Sequence, residues 1–337
     1  MNNDNIFDFI STLPEVVDII GYGSGVKNQE GYTDDIKRQI DLILTVNDIY
    51  EFHKLNFKKY PNIYSNIGIK LIKHVNSIGT DINYVSNIDY KNNTYKIGVI
   101  NKNDLSKDLI TWDNMYMAGR CQKPISTLKI RDKVKNEIIY NRLNALKIAL
   151  LLNNNKTITE QELYETICSL SYIGDIRMTM HCENPDKIKN TVNGSKIEFR
   201  EIYNEVNDNL FDIKNNIIST NTDKILTSIL DIPESLLKYL HKHMDLNNIN
   251  IDELNNNIIN YLKITNFKSS IAQPIKSIII NGTEKSLNYL KEKRKKGKLW
   301  NEKVNSNFIR WNLNVWEKSI IWAFFSVQVI WNLIKIV

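Results

Sequence analysis

The stretch VVDIIGYGSGVKNQEG, from Val16 to Gly31, places three glycines within five positions directly after an apolar run. The apolar run predicts a β-strand over residues 16–20, and the glycines predict a tight turn at its end. Such a turn can form a nest of backbone amide groups that is large enough for one phosphate. The candidate phosphate-binding residues are therefore Gly23, Ser24 and Gly25.

Two familiar nucleotide-binding motifs do not fit this turn. A dinucleotide fingerprint needs Gly-x-Gly-x-x-Gly, and its third glycine would fall on Val26 or Asn28. A Walker loop is excluded as well, because no glycine precedes Lys27 and neither Ser nor Thr follows it. The turn therefore predicts phosphate binding of another kind.

The next apolar run, RQIDLILTV, contains a single carboxylate, Asp41. An unpaired carboxylate inside an apolar strand is costly to bury, and a bound Mg²⁺ would explain its presence. Nucleotidyl transfer uses this combination of a phosphate-binding turn and a metal-binding carboxylate. Two other roles stay open for Asp41, namely capping a neighbouring turn and pairing with a lysine. The usual nucleotidyltransferase pattern has a second acid two positions on, where this chain has Ile43.

Other acids are candidates for completing the metal site. Asp81, in GTDINYV on a later strand, is a candidate for a further ligand. Asp34 and Asp35 lie nearer the glycine turn, in a segment with the composition of a loop, where most acids are solvated. The five histidines do not form a metal-ligand pattern.

The composition indicates a globular protein with an anionic partner. Of the 337 residues, 42% are hydrophobic and 24% are charged, which excludes extended disorder and predicts about two domains. The net charge of +6 favours nucleotides, nucleic acids or acidic lipids, without choosing among them.

The hydrophobic pattern predicts an α+β protein. The first domain, residues 1–125, is a small α/β domain with predicted strands over 16–20, 40–46, 67–75, 80–86 and 95–100. A helix follows from Asp104. The second domain, residues 126–262, is predicted to be mostly helical, and one of its helices begins with a capping box formed by Thr159 and Glu162.

The remaining region, residues 263–337, differs in kind from the two domains. It contains the basic run KEKRKKGK at Lys291–Lys298 and, after it, five of the six tryptophans. This combination is typical of a membrane interface and predicts binding to an anionic membrane surface. The final stretch, residues 319–337, allows three structures: a transmembrane span, an interfacial amphipathic helix, or a helix packed in a core or dimer interface.

Read in order, the motifs resemble those of the mitochondrial translocator assembly and maintenance protein family. The resembling stretches are YGSGV (Tyr22–Val26), QIDLIL (Gln39–Leu44), FHKLN with YS (Phe52–Asn56, Tyr64, Ser65), YKIGVI (Tyr95–Ile100), DLITWDNMYMAGRCQKP (Asp108–Pro124), LYETICSLSYIGDIRM (Leu163–Met178), ENPDKIKN (Glu183–Asn190) and AQPIKSIIINGTEKSLNYLKEKRKKGK (Ala272–Lys298). The resemblance covers residues 16–298, and it is specific because many motifs agree in order and spacing.

This resemblance implies a peripheral phosphatidate cytidylyltransferase, which makes CDP-diacylglycerol from CTP and phosphatidic acid with Mg²⁺ as cofactor. It implies a nucleotidyltransferase-fold domain followed by a winged-helix-like domain, located on the matrix side of the mitochondrial inner membrane. The start MNNDNIFDFI lacks the basic, acid-poor character of a targeting peptide, so the bacterial cytoplasmic membrane is the alternative location.

The resemblance also assigns roles to individual residues. Gly23 and Ser24 would contact the triphosphate, Asp41 would bind Mg²⁺, and Lys96 would neutralise phosphate charge. The candidates for the phosphatidate head group are Arg120, Lys123, Lys187 and Lys189.

Two other functions remain open at this point. A nucleotidyltransferase acting on RNA or another acceptor would account for the charge but not for the tryptophan-rich tail, so no nucleic-acid partner is expected. A non-enzymatic membrane assembly factor that retains the fold would account for Ile43 in place of the second acid.

Overall fold

The computed structural model describes residues 3–27, 39–76, 78–153, 157–179, 183–214 and 217–282. These residues form an α+β protein, as predicted, with a mixed five-stranded sheet first and a mostly helical unit after it. The basic run at 291–298 and the tryptophan-rich stretch lie outside the described residues.

The first sheet has the spatial order β3-β4-β2-β1-β5. Its strands are β1 Asp18–Tyr22, β2 Ile40–Val46, β3 Ile82–Tyr90, β4 Asn93–Asn101 and β5 Ser126–Lys129. β2 and β4 are parallel, and the other neighbouring pairs are antiparallel. β2 lies at the centre because its residues are apolar on both faces, and every side chain in it except that of Asp41 is buried.

Helices cover both faces of this sheet. One face, through Leu42 and Leu44, contacts an apolar layer that includes Phe9 and Ile72. The helices of this layer are α1 Asn3–Ser11, α2 Ile49–Lys59 and α3 Asn66–Val75. The opposite face, through Ile20 and Ile43, packs against residues of α4 Lys102–Thr111, α5 Ala118–Cys121 and the start of α6 Asp132–Leu152. This second face is the one that meets the helical unit.

The helical unit surrounds a core of its own. Its further helices are α7 Glu160–Ser169, α8 Ile176–Thr179, α9 Lys187–Gly194, α10 Lys196–Glu205, α11 Thr222–Thr227 and α12 Glu234–His243. A small antiparallel sheet of β6 Ile158–Thr159, β7 Phe211–Lys214 and β8 Ile217–Thr220 lies beside them in the order β6-β8-β7. The predicted capping box at the start of α7 is confirmed, with Thr159 and Glu162 bonded reciprocally.

A single long helix, α13 Ile251–Asn281, connects the two units. The side chain of Asn250 caps its start by accepting a hydrogen bond from the amide of Glu253. α13 contacts α6 and α12 in the helical unit and then α3 and β3 in the sheet unit. The domain boundary predicted at residue 262 therefore falls inside this helix. Among the described residues, no helix combines the length and apolar character that a membrane crossing requires.

One local prediction about the sheet unit is wrong, and one predicted boundary falls inside this unit. Residues 67–75 form α3 instead of a strand, because the buried residues Ile72 and Val75 are three positions apart with exposed residues between them. The short strand β5 pairs with β1, so the sheet unit extends past the boundary predicted at residue 125.

Candidate active site

The glycine turn directly follows β1 and needs two of its glycines for different reasons. Gly23 has φ +74°, in the left-handed region that favours glycine. Its carbonyl accepts hydrogen bonds from the amides of Val26 and Lys27 at 3.1 and 2.8 Å. A Cβ on Gly25 would lie only 2.1 Å from the backbone oxygen of Gln39. The turn is therefore pressed against the residue that precedes β2.

Asp41 lies directly beside this turn. It pairs with Tyr22 of β1 on one side and with Lys96 of β4 on the other. A Cβ on Gly23 would lie 3.1 Å from the Asp41 Oδ2 atom, so the absence of a side chain at Gly23 leaves the carboxylate open toward the turn. Ser24 is half-buried in the same turn. The structure thus brings together four predicted residues, Gly23, Ser24, Asp41 and Lys96.

A loop between α4 and α5 supplies the next part of the site. The buried carboxylate of Asp108 accepts hydrogen bonds, at 2.7 to 3.1 Å, from the four amides of Asn114, Met115, Met117 and Ala118. These bonds fix the loop that carries Tyr116 and leads to Arg120. Burial raises the pKa of Asp108, and the four bonds act against that shift.

Aromatic rings connect Arg120 to the Asp41 side of the sheet. The guanidinium of Arg120 lies 3.8 Å from the ring centroid of Tyr116 and 5.5 Å from that of Tyr22. The Tyr22 and Tyr84 hydroxyls are 3.4 Å apart, and the Lys96 ammonium lies 4.5 Å from the Tyr84 centroid. The Arg120 Nε atom is buried and has no hydrogen-bond partner within the part of the chain that the structure describes. Such a donor suits an acceptor from a ligand.

Lys123 joins the sheet unit to the helical unit. Its ammonium donates to the Gly119 carbonyl at 2.7 Å and to the Ser171 hydroxyl at 2.6 Å, and it lies 5.0 Å from the Tyr172 centroid. Burial lowers the pKa of Lys123 to about 8, and nearby positive charges, including that of Lys187, act in the same direction. The positive charges of Arg120 and Lys187 thus both act on the buried Lys123, and these three residues are called the cationic cluster below.

Two of the predicted residues do not join this site. Lys189 is exposed and lies two positions after Lys187 on α9, so the two side chains point in different directions. Asp81 precedes Ile82, which pairs with Ile100, whereas Asp41 pairs with Lys96. Five residue levels, or ~16 Å at about 3.3 Å per residue, separate the two backbone positions along the strands. The prediction that Asp81 shares a metal with Asp41 is therefore wrong.

Sequence reasoning predicted Arg120 but missed the aromatic groups of the site and the guanidinium of Arg177. Tyr22, Tyr84 and Tyr116 come from three separate elements, and Arg177 follows in α8. Tyr22, Tyr116 and Arg177 all lie inside motifs that carried the family resemblance, which was the available signal. Within the described ranges, no group of three or more His, Cys, Asp or Glu side chains could hold a metal ion. Asp34 and Asp35 lie in the segment 28–38, outside those ranges.

Comparison with known proteins gives a consistent result. A family model described as phosphatidate cytidylyltransferase, mitochondrial, matches residues 6–296. The protein of that name from Schizosaccharomyces pombe is 34% identical over 271 residues, which cover 79% of this chain and 67% of the relative. The Saccharomyces cerevisiae protein of that name is 35% identical over 226 residues, covering 62% of this chain and 58% of the relative. The Homo sapiens protein of that name is 34% identical over 204 residues, covering 58% and 45%.

The matched segments span about two thirds or less of the length of these three relatives. The family model covers most of the present chain and includes the glycine turn, Asp41, the Arg120 loop and α8. The chain belongs to the mitochondrial phosphatidate cytidylyltransferase family.

Proposed function

We propose that this protein is a phosphatidate cytidylyltransferase, which transfers CMP from CTP to phosphatidic acid and releases pyrophosphate. The observation that carries the proposal is the common location of the turn, Asp41, Lys96 and the cationic cluster at one end of one sheet face. The names of the relatives support the same activity. The sheet with its glycine turn is also what we expect of a nucleotidyltransferase fold. The β7–β8 hairpin beside the helices suits a winged-helix-like unit.

The turn and Asp41 are assigned to CTP. Backbone amides of residues 23–25 and the Ser24 hydroxyl would donate to triphosphate oxygens, and Lys96 would offset their charge. The half-buried Asp41 carboxylate, open toward the turn, fits a Mg²⁺ ion, because proteins hold this ion with one or two carboxylates plus substrate phosphates. When bound, the ion neutralises charge that develops between the phosphates.

The cationic cluster is assigned to the phosphate of phosphatidic acid. A phosphate monoester has a second pKa near 6, so at neutral pH it is mostly a dianion that needs no general base. One of its oxygens attacks the α-phosphorus of CTP, and the bond from that phosphorus to the bridging oxygen breaks as pyrophosphate leaves. Arg120, Lys123 and Lys187 would hold and orient the dianion for in-line attack. The assignment omits Lys189 and Asp81.

The location is assigned from the relatives and from the sequence of the tail. The relatives are named as mitochondrial proteins. We propose peripheral attachment to the matrix side of the inner membrane, through the basic run 291–298 and the tryptophans after it. The attached form would reach phosphatidic acid in the same membrane.

The activity is tested with CTP labelled at the α-phosphorus and three acceptors: phosphatidate vesicles, diacylglycerol vesicles and RNA. We expect label in the lipid fraction with phosphatidate alone, because only this lipid offers a phosphate nucleophile. Label in RNA would identify a polymer nucleotidyltransferase. CTP binding without transfer to any acceptor would favour a non-enzymatic assembly factor.

A further inference from the structure

Two carboxylates fix Arg177 in α8 of the helical unit. Its Nε atom donates to both oxygens of Asp175, at 3.0 and 3.1 Å, and its Nη1 atom lies 3.9 Å from Glu183. The segment itself is anchored, because the Ser270 hydroxyl of α13 accepts a hydrogen bond from the amide of Ile176 at 3.1 Å. The side chain of Asp175 is only 4% exposed, whereas that of Arg177 is 42% exposed. The guanidinium is therefore held firmly and still open on one side.

The segment that carries Arg177 adjoins the cationic cluster. Lys123 donates to the Ser171 hydroxyl at 2.6 Å and lies 5.0 Å from the Tyr172 ring, and the amide of Asp175, the partner of Arg177, donates to the Tyr172 carbonyl at 3.0 Å. In agreement with this geometry, the positive charge of Arg177 acts to lower the pKa of both Arg120 and Lys123. Three cations from α5, the following loop and α8 thus converge where the two units meet. Bringing like charges together is unfavourable unless an anion compensates them. Asp175 and Glu183 compensate Arg177 in part, but Arg120 stacks on rings and Lys123 donates to neutral oxygens.

A second arginine of the helical unit, Arg200, provides an example of a purely structural ion pair. Arg200 makes the same two-point contact with the buried carboxylate of Glu160. Its pKa is raised chiefly by Glu160 and further by Tyr164, while burial acts against this shift. The comparison indicates that clustering with Arg120 and Lys123 is a separate property of Arg177, beyond its pairing with Asp175.

We infer that Arg177 binds, together with Arg120 and Lys123, the phosphate monoester of the acceptor. The planar guanidinium offers several N–H donors in a fixed fork, which suits two oxygens of one phosphate. Asp175 and Glu183 hold the Arg177 guanidinium in position for this contact. This assignment rests on the proposed function for the identity of the acceptor, but the anion site itself does not.

The test compares Arg177→Gln, Arg177→Lys and the matched control Arg200→Gln. For each purified full-length protein, equilibrium binding is measured separately for CTP, for water-soluble dioctanoyl phosphatidate and for inorganic phosphate. We expect Arg177→Gln to weaken phosphatidate and phosphate binding roughly tenfold or more, since a hydrogen bond to a charged group is lost. CTP binding should change less than about twofold. Arg177→Lys should restore affinity only in part, and Arg200→Gln should match the wild type.

Three results would distinguish a failure of the Arg177 assignment from a failure of the proposed function. Unchanged phosphatidate and phosphate affinity in Arg177→Gln would overturn the assignment. Equal losses for CTP and phosphatidate, with a lower melting temperature and full recovery in Arg177→Lys, would assign Arg177 a structural role and also overturn it. If the wild type makes no lipid product but its phosphate binding depends on Arg177, the anion site stands and the proposed function fails.

Discussion

The sheet face that meets the helical unit carries charged groups at both of its ends. The hydrogen-bond partners of these groups differ between the two ends. At the Asp41 end, Arg120 stacks on tyrosine rings, and its buried Nε atom has no partner among the described residues. At the Asp81 end, the buried ammonium of Lys276 donates to the carbonyls of Asn76 and Thr80. Asp81 there accepts a hydrogen bond from the Asn114 amide group at 3.3 Å.

We interpret this difference as that between a ligand site and a structural site. Both ends bury charge, and burial alone does not show function, because paired charges also stabilise interfaces between units. The Asp81 end joins α13 to the start of β3 through hydrogen bonds between charged and polar groups of the protein itself. The Asp41 end holds the buried Arg120 Nε donor, which has no hydrogen-bond partner among the described residues, beside a glycine turn, and this arrangement suits an anionic ligand. The following predictions test this contrast.

The largest effect is expected from removing the carboxylate at the Asp41 end. Asp41→Asn keeps the size of the side chain but removes the anionic ligand that a hard cation prefers. We expect turnover to fall by roughly a thousandfold or more, with a nearly unchanged melting temperature. Asp81→Asn is the matched control at the other end and should retain most of the activity. Initial rates of CDP-diacylglycerol formation and thermal melts measure both, and equal losses in the two variants would remove the contrast.

The next effect concerns the shape of the turn. In Gly25→Ala the new Cβ would lie 2.1 Å from the Gln39 backbone oxygen, so the turn must move away from β2. We expect CTP affinity to fall roughly tenfold to a hundredfold, because the amide donors no longer converge. Gly21→Ala is the control, since its Cβ would meet mainly the Val26 side chain, at 3.0 and 3.3 Å. Calorimetric titration measures the CTP affinity of both variants. Normal CTP binding by Gly25→Ala would show that the turn does not hold the nucleotide.

A smaller effect is expected from Ser24→Ala. The change removes one hydroxyl from a site that keeps its backbone donors. If this hydroxyl contacts a charged phosphate, the loss should be roughly 1 to 3 kcal/mol of transition-state stabilisation. The measured quantity is kcat/KM for CTP at saturating phosphatidate. A loss of kcat/KM in Ser24→Ala as large as that in Asp41→Asn would contradict the expected order of the two effects.

The smallest effect on activity is expected at the Asp81 end, from Lys276→Met. Burial lowers the pKa of Lys276 to about 7, while the acids Asp81 and Asp104 act against this shift. Between pH 7 and about 10.4, the ordinary lysine pKa, the unfolded chain binds the proton that the folded chain has released. The free energy of unfolding contributed by this lysine therefore rises with pH across that window.

Lys276→Met lacks this titration, so the stability difference between wild type and variant should grow from pH 7 to 9.5 in favour of the wild type. Urea unfolding at pH 6.5, 8 and 9.5 measures it, and activity at pH 7.5 should stay close to normal wherever the variant is folded. Parallel stability profiles for the two proteins would show that Lys276 does not titrate in this range.

The parts of the site that the sequence predicted depend on local pattern. Gly23, Ser24 and Asp41 were identified because glycine spacing and a lone carboxylate in an apolar strand are visible within a few residues. The error for Asp81 has a different origin. Its distance from Asp41 depends on the register of β3 against β4, which contains an irregularity between Val85 and Ile88 and which no local pattern reports.

Long-range packing explains the remaining differences. The position of Arg177 depends on long-range packing, since α8 is anchored on α13 by the hydrogen bond from Ile176 to Ser270, ninety-four positions further along the chain. The strand β5 has only four residues and is recognised through its pairing with β1. The boundary predicted at residue 262 falls inside α13, which continues across it to pack on β3, and the periodicity of this helix does not show that packing.

The most direct test of the Asp41 end as the catalytic end uses CTP labelled separately at the α- and γ-phosphorus. With phosphatidate vesicles, we predict that the α-label enters the lipid fraction while an equal amount of γ-label appears in pyrophosphate. Both signals should persist in Asp81→Asn and disappear in Asp41→Asn. Transfer of the γ-label to lipid, release of the α-label as free CMP, or full transfer by Asp41→Asn would contradict this account.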